Sequence, residues 1–223
     1  MCGLVEKYES PNYNTMVYYN LEHLTQDDQQ AVVGPIQDDE ALFLFSLIRC
    51  MRFSRILEVG GLDGYSAKNF LESLDCRPNA MVYTIDIQPV EEQGSLHRCI
   101  QKNASDITAD DVDNQPLDLV FFDCHELDVQ MTLFERLRSS SIINDDTVLA
   151  LHDTGLHEHQ FIDWAYEIQD GWVHQPVERQ MVNRFKEAGY DVFTVDAKRG
   201  TSTPEFPFRH GLTICKKHSF MVT

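Results

Sequence analysis

Short apolar segments alternate with amphipathic segments along most of the chain, and this alternation begins near residue 35. Runs rich in Val, Ile, Leu, Phe and Tyr predict six strands, over residues 56–59, 81–85, 117–122, 147–151, 190–195 and 211–215. A helix is expected to start after Pro35, because acidic residues that suit a helix N-terminus precede an apolar face there. Helical spacing predicts further helices over residues 65–74, 129–137, 157–169 and 177–188.

The order of these elements predicts an α/β fold. Strands that alternate with helices indicate a parallel, doubly wound sheet. Segments 117–122 and 147–151 are almost entirely apolar, as expected of strands covered on both faces. The last two predicted strands are joined by a link that contains Pro and Gly and no helical pattern. We therefore expect an antiparallel hairpin at one edge of the sheet.

Composition indicates one globular domain. The chain has 223 residues, of which 43% are hydrophobic and 24% are charged, and these values exclude a disordered or fibrous protein. We expect the domain to span residues 35–223. The polar segment 1–34 is expected to be an N-terminal arm or lid, which could also serve a homodimer contact.

The charge of the chain limits the kinds of molecule that it is expected to bind. Acidic residues outnumber basic residues by 36 to 18, which gives a net charge of -18. Such a field repels phosphate, so nucleic acid and membrane surfaces are not expected partners, whereas a neutral or cationic small molecule is. No apolar segment is long enough to span a bilayer, no secretory signal is visible, and the six cysteines are scattered. A cytoplasmic location is therefore expected.

A glycine-rich segment follows the first predicted strand. Between Glu58 and Ser66 lie three glycines within five positions, which would let the backbone turn sharply and approach a ligand closely. The spacing fits G-x-G-x-x-G in neither register, so a nicotinamide cofactor is disfavoured. Asp86 ends the second strand 26 residues after Gly60 and is placed to bind the hydroxyls of a ribose, unless it merely caps the next turn.

The segment from Glu58 to Ser66 resembles the E-L-G-x-x-x-G-Y-S cofactor loop of class I S-adenosylmethionine-dependent methyltransferases, in particular the catechol-type O-methyltransferases. The resemblance covers residues 34–151. It implies a Rossmann-like, three-layer α/β/α fold with a mostly parallel seven-stranded sheet. It also implies binding of S-adenosyl-L-methionine by the residues that match the loop, the ribose-binding acid and the adenine rim, which are Glu58, Gly60, Gly61, Leu62, Gly64, Ser66, Asp86, Ile87, Ser105 and Asp123.

Two further strand ends carry metal-ligating residue types. Asp123 follows the third predicted strand, and His152 with Asp153 follows the next, 29 residues later. This spacing allows one crossover helix, so both strand ends should face the same crevice and bring two carboxylates and an imidazole together. Such a set suits Mg²⁺ or Mn²⁺, and the imidazole leaves room for a softer metal. Taken singly, Asp123 could instead be a helix cap and His152 a polar residue at a strand end.

Three positions depart from the pattern of the resembled family, and at one of them, Asp86, the catechol enzymes carry glutamate. That family carries Asp-Asn or Asp-Asp at the second metal position, where this chain has His152 and Asp153. The His-Asp pair resembles the branch that methylates sugars and natural-product glycosides. The catechol enzymes place a lysine where this chain has Glu126, so His125 is the preferred general base, with Glu126 and His174 as alternatives. His125 could also be a surface residue.

Together these features predict a metal-assisted O-methyltransferase. Its acceptor would be a hydroxyl of a sugar, glycoside, catechol-like compound or other vicinal diol, because two adjacent hydroxyls can chelate one cation. A metal-independent methyltransferase and an inactive module that binds S-adenosylmethionine remain alternatives, and an oxidoreductase is a distant one. His157 and His159 could form a zinc site with His152, although their spacing is not that of structural zinc. Aromatic residues at 161, 164 and 172 could line the acceptor site or belong to the core.

Overall fold

The computed structural model describes residues 36, 38–74, 77, 79–154, 166–168, 171–173, 177–195 and 211–217. The predicted arm over residues 1–34 lies outside the described residues, as do His157, His159 and His174. Within the described part of the chain, no helix is long and apolar enough to cross a membrane.

Nine strands are present in the described residues. In chain order they are β1 (Arg55–Val59), β2 (Met81–Asp86), β3 (His97–Gln101), β4 (Leu119–Phe122), β5 (Val148–Leu151), β6 (Tyr166–Ile168), β7 (Gly171–Val173), β8 (Tyr190–Val195) and β9 (Leu212–Lys217). Seven of them form one sheet in the order β3-β2-β1-β4-β5-β9-β8. Strands β6 and β7 form a separate antiparallel pair.

The seven-stranded sheet confirms the expected topology. Strands β1 to β5 pair in parallel, whereas β9 is antiparallel to both β5 and β8. The antiparallel edge hairpin that the sequence predicted is therefore present as β8 and β9. The strand order reverses between β1 and β4, and ligands of doubly wound sheets bind beyond the carboxyl ends of the strands at such a switch point.

Among the described residues, four α-helices cover the two faces of the sheet. They are α1 (Asp38–Met51), α2 (Tyr65–Ser73), α3 (Leu127–Ser139) and α4 (Val177–Glu187). Helices α1 and α2 contribute to the apolar cluster on one face, and α3 and α4 to the cluster on the other. Successive residues of β4 alternate between these clusters, as the two-residue period of a strand requires. The result is the three-layer α/β/α arrangement.

Two secondary-structure predictions need correction. The helix expected over residues 157–169 is wrong at its C-terminal end, where β6 occupies Tyr166–Ile168; residues 155–165 lie outside the described residues. Strand β3 is one that the apolar pattern did not indicate. Its sequence is His-Arg-Cys-Ile-Gln, and at the edge of the sheet most of its residues are half-exposed, so it lacks the apolar run of a central strand.

Candidate active site

The candidate site lies where β1, β4 and β5 end. Backbone hydrogen bonds continue just past these strands, because the amide of Gly60 donates to Ile85, that of Asp123 to Val59 and that of His152 to Phe122. The three following loops are therefore neighbours at one edge of the sheet. The loops after β1 and β4, together with the end of β2, border a cleft of about 260 Å³ that is open to solvent. It is lined by Val59, Gly60, Leu62, Ile85, Asp86, Ile87, Lys102, Asn103, Ala104, Asp123, Cys124, His125, Glu126 and Val129.

The glycine loop after β1 packs tightly against other segments of the same chain. Gly60 has φ +95, and a Cβ atom there would lie 2.5 Å from the carbonyl oxygen of Asp123. Gly64 has φ +73 and would meet the side chain of Gln93 at 2.4 Å. At Gly61, which does not line the cleft, a Cβ would lie 2.2 Å from Thr84. Packing therefore excludes a side chain at Gly60, where it leaves bare backbone facing the cleft, and at Gly61, whereas at Gly64 the positive φ favours glycine because the end of the Gln93 side chain could move aside.

Asp86 closes the glycine loop through its carboxylate. Its Oδ2 accepts hydrogen bonds from the amides of Gly61 at 2.9 Å and Leu62 at 3.1 Å, and its Oδ1 accepts one from the amide of Gln88 at 2.8 Å. The side chain faces the cleft beside Ile87, whose side chain is exposed. Each carboxylate oxygen can accept more than one hydrogen bond, so this geometry is compatible with ribose hydroxyls.

Glu58 and Ser66 face each other beneath the loop and do not line the cleft. Ser66 Oγ donates to one carboxylate oxygen of Glu58, and Thr84 Oγ1 donates to the other at 2.6 Å. Burial raises the pKa of Glu58 to about 8, more than the two hydroxyl donors lower it. In this conformation both residues support the loop from within the core. Ser105 also lies off the cleft and hydrogen-bonds Asn103, which lines it.

Asp123, His152 and Asp153 converge as their spacing predicted. Each offers a ligand atom within 4.8 Å of the others. His152 Nδ1 lies 3.1 Å from an oxygen of Asp123 and 3.6 Å from an oxygen of Asp153. Two carboxylates with an imidazole, all nearly buried, form a mixed oxygen and nitrogen donor set that fits a divalent cation.

Within this cluster, the pKa values of Asp123 and His152 depend on each other. Burial raises the pKa of Asp123 to about 6, although His152 lowers it. Burial on its own would lower the pKa of His152, but the carboxylates of Asp123 and Asp153 raise it well above its ordinary value. Negative charges gathered in a low-dielectric site need a positive partner, which is either a protonated imidazole or a cation.

His125 points its ring at the same cluster. Its Nε2 lies 3.8 Å from Asp123 and 3.6 Å from Asp153. On its other side, both the backbone amide and Nδ1 contact one oxygen of Glu178, at 3.0 and 3.3 Å. Burial opposes the charged form, but Glu178 and the two aspartates raise the pKa of His125 to about 9. His125 is therefore no surface residue but half-buried, with a carboxylate partner that fixes its ring.

The neighbours of His125 have different surroundings. Glu126 is exposed at the rim of the cleft and lies at the N-cap of α3. Burial raises the pKa of the Cys124 thiol to about 12, so it is a packed thiol rather than a nucleophile.

Comparison with known proteins gives structural matches only. No family model matches the chain, and neither does any curated protein. A Staphylococcus aureus protein assigned as a caffeoyl-CoA O-methyltransferase matches with a TM-score of 0.56 at 21% identity, over 80% of this chain and 82% of that one. The O-methyltransferase TomG from Streptomyces achromogenes, solved with SAM, matches with a TM-score of 0.52 at 18% identity, over 89% of both chains. This chain has the methyltransferase fold.

A third match supports the same fold. The SAH-bound methyltransferase PaMTH1 from Podospora anserina has a TM-score of 0.53 at 14% identity, over 89% of this chain and 87% of that one. The resemblance noted in the glycine loop is thus confirmed at the level of the fold.

Two buried glutamates of the site were missed in the sequence. Glu40 of α1 contacts His152, and Glu178 of α4 contacts His125; both are fully buried. A signal for them exists in the periodicity. Glu40 is in phase with buried Leu44 and Ile48, and Glu178 with buried residues of α4. An acidic residue in the apolar stripe of a helix demands a polar partner in the core.

Proposed function

We propose that the protein is an S-adenosylmethionine-dependent O-methyltransferase that uses a divalent cation to methylate a small hydroxylated acceptor. The observation that carries this proposal is the convergence of Asp123, His152 and Asp153 at the edge of a cleft that the glycine loop and Asp86 also border. A methyl donor and an acceptor hydroxyl could meet in this one cleft. The methyltransferase fold supports the same conclusion.

The donor would lie along the glycine loop. Asp86 would bind the ribose hydroxyls, the bare backbone of Gly60 and the neighbouring Leu62 would follow the methionine portion, and Asn103 with Ala104 would border the adenine. Glu58, Gly61, Gly64 and Ser66 would act indirectly, by fixing the shape of the loop, and Ser105 would do so through Asn103. The sulfonium is cationic, and the acidic cleft favours it.

The cation would be held by Asp123, His152 and Asp153. When bound, it would lower the pKa of an acceptor hydroxyl and fix its position. The chain's own residues would complete the reaction. His125 Nε2, facing the cluster, would accept the hydroxyl proton, while the Glu178 carboxylate holds the ring through Nδ1. A bond forms from the acceptor oxygen to the methyl carbon as the carbon–sulfur bond breaks, giving a methyl ether, S-adenosylhomocysteine and a proton on His125.

The charge of His125 is compatible with this role. Its pKa of about 9 reflects the surrounding carboxylates of Asp123, Asp153 and Glu178. A divalent cation beside the same carboxylates would oppose their field and lower the pKa of the imidazole towards neutrality. The neutral ring is the form that accepts a proton.

A neutral polyhydroxy acceptor, such as a sugar, a glycoside or another vicinal diol, fits the cleft better than an anionic one. Among the described lining residues, Lys102 is the one lysine or arginine, and its ammonium already pairs with Asp111 at 2.9 Å. The exposed carboxylate of Glu126 adds negative charge at the rim. A phosphate-bearing acceptor such as a coenzyme A thioester would meet repulsion there.

The experiment that tests this function is methyl transfer from S-adenosylmethionine to a panel of diols, catechols and glycosides, with and without a chelator. We expect turnover to be lost with chelator and restored by excess Mg²⁺ or Mn²⁺. Turnover that persists in chelator would instead support a metal-independent methyltransferase, which the His125–Glu178 pair makes the second candidate. Cofactor binding without turnover across the panel would indicate an inactive binding module.

A further inference from the structure

His152 is held between carboxylates on both sides of its ring. Nδ1 faces Asp123 Oδ1 at 3.1 Å, and Nε2 faces Glu40 Oε2 at 3.2 Å. The ring is 1% exposed and Glu40 is fully buried. Nδ1 of His152 thus faces the carboxylates of Asp123 and Asp153, which with His152 form the acidic cluster, whereas Nε2 faces Glu40 of α1.

Glu40 sits where the helical pattern calls for an apolar residue. A carboxylate is costly to bury unless hydrogen bonds compensate for the lost water. Its second oxygen, Oε1, accepts a hydrogen bond from the backbone amide of Gly211 at 3.0 Å, just before β9. Both oxygens of Glu40 therefore have partners, and they connect α1 to the end of β5 and to the start of β9.

We propose that Glu40 is a positioning residue of the metal site, which accepts the Nε2 proton of His152 and so presents Nδ1 to Asp123 and Asp153. This inference rests on the proposed function. Histidines that bind metals commonly donate their other ring N–H to a carboxylate, which fixes the tautomer and the orientation of the ring. The geometry of Glu40 is of this kind. It also explains how a histidine can stand at residue 152, where the resembled family carries Asp.

Glu178 provides a matched control. It is also fully buried on a helix, and it also contacts a histidine, but its partner His125 presents Nε2 to the cluster rather than Nδ1. In the proposed mechanism His125 moves a proton and does not bind the cation. The two glutamates should therefore affect different measurements.

The first test is a titration of metal-free protein with Mn²⁺ that is monitored by calorimetry. In Glu40→Gln the amide offers one acceptor oxygen to two donors, His152 Nε2–H and the Gly211 amide. We expect Mn²⁺ affinity to fall about 10- to 100-fold, the range typical for removal of such outer partners. Glu178→Gln, whose partner His125 is not a proposed ligand, should change Mn²⁺ affinity far less than Glu40→Gln does. Equal affinity in wild type and Glu40→Gln would overturn the proposal.

A second measurement uses the wild-type protein alone, so its result does not depend on whether a variant folds. Long-range ¹H–¹⁵N spectra of the Mg²⁺-loaded wild-type protein report which ring nitrogen of each histidine carries its proton. We expect the proton of His152 on Nε2. A proton on Nδ1 would overturn the proposal even if Glu40→Gln failed to fold.

The two proposals fail in different ways. If the wild type takes up no Mn²⁺, the metal-dependent function itself is wrong. If the wild type binds Mn²⁺ but the loss in Glu40→Gln is just as large in a His152→Asn background, Glu40 does not act through His152. The proposal expects Glu40→Gln to add no further loss of affinity in that background.

Discussion

At the residue scale, the buried carboxyl of Glu58 should make stability depend on pH. Its pKa is about 8 in the folded protein and 4.5 as the ordinary value, so between these pH values the folded state keeps a proton that the unfolded state has lost. The free energy of unfolding should therefore fall as pH rises from about 4.5 to 8, by at most about 1.4 kcal/mol per pH unit from this group. Below that window both states are protonated, and the effect vanishes.

Glu58→Gln tests this expectation, because an amide has nearly the shape of a protonated carboxyl and also carries one donor group and one acceptor oxygen. Urea unfolding at several pH values between 5 and 8 should show a flatter dependence for the variant, and greater stability than wild type at pH 8. Parallel pH profiles for the two proteins would contradict the assignment of a neutral Glu58.

Removal of the His125 imidazole should affect turnover and leave cofactor binding unchanged. His125→Ala should lower turnover by about 100-fold or more, because a positioned general base typically contributes that much. S-adenosylmethionine affinity should not change, since the ring contacts Glu178 and the acidic cluster instead of the glycine loop. Steady-state kinetics and cofactor titration check the two halves. Unchanged turnover would remove His125 from the mechanism.

At the scale of elements, the apolar pattern predicted the central strands because they are covered on both faces. The pattern failed where burial is partial. Strand β3 is half-exposed at the sheet edge, and β6 is a three-residue strand inside a segment whose spacing suggested a helix. The acidic cluster could be predicted from strand ends, because parallel strands deliver their carboxyl ends to one edge. The burial of Glu40 and Glu178 leaves a signal in the helical periodicity, but their partners could not be predicted, since these lie 112 and 53 residues away.

The loop between β1 and α2 gives a prediction at the same scale. Gly60→Ala would place a methyl group 2.5 Å from the Asp123 carbonyl oxygen, in a backbone conformation that side chains rarely adopt. We expect a loss of stability of roughly 1–3 kcal/mol or more from strain, and a further loss of cofactor binding as the loop shifts.

Gly94→Ala is the matched control for this loop. Gly94 also has a positive φ, +131, but a Cβ atom there meets nothing within 4 Å. It should therefore lose stability from backbone strain and retain cofactor affinity. Thermal unfolding and cofactor titration of both variants separate the two effects. Equal cofactor affinity in the two variants would show that the close approach of Gly60 to Asp123 is irrelevant to binding.

At the scale of the whole molecule, sheet topology and charge act together. The doubly wound sheet places the glycine loop, Asp86 and Asp123 of the acidic cluster around one cleft, and the net charge of -18 favours a cationic donor and disfavours anionic acceptors. Helices α1 and α4, on opposite faces of the sheet, each contribute one buried glutamate that contacts a histidine of the candidate site. Helices on both faces of the sheet thus hold the two histidines of the candidate site in place.

Calorimetric titration of Mn²⁺ into metal-free protein would show whether Asp123, His152 and Asp153 bind one divalent cation, on which the proposed chemistry depends. We expect the wild type to bind a single ion per chain, and Asp153→Asn to bind it far more weakly while remaining folded. Absence of ion binding by the wild type, or equally tight binding by Asp153→Asn, would contradict a metal site at these three residues.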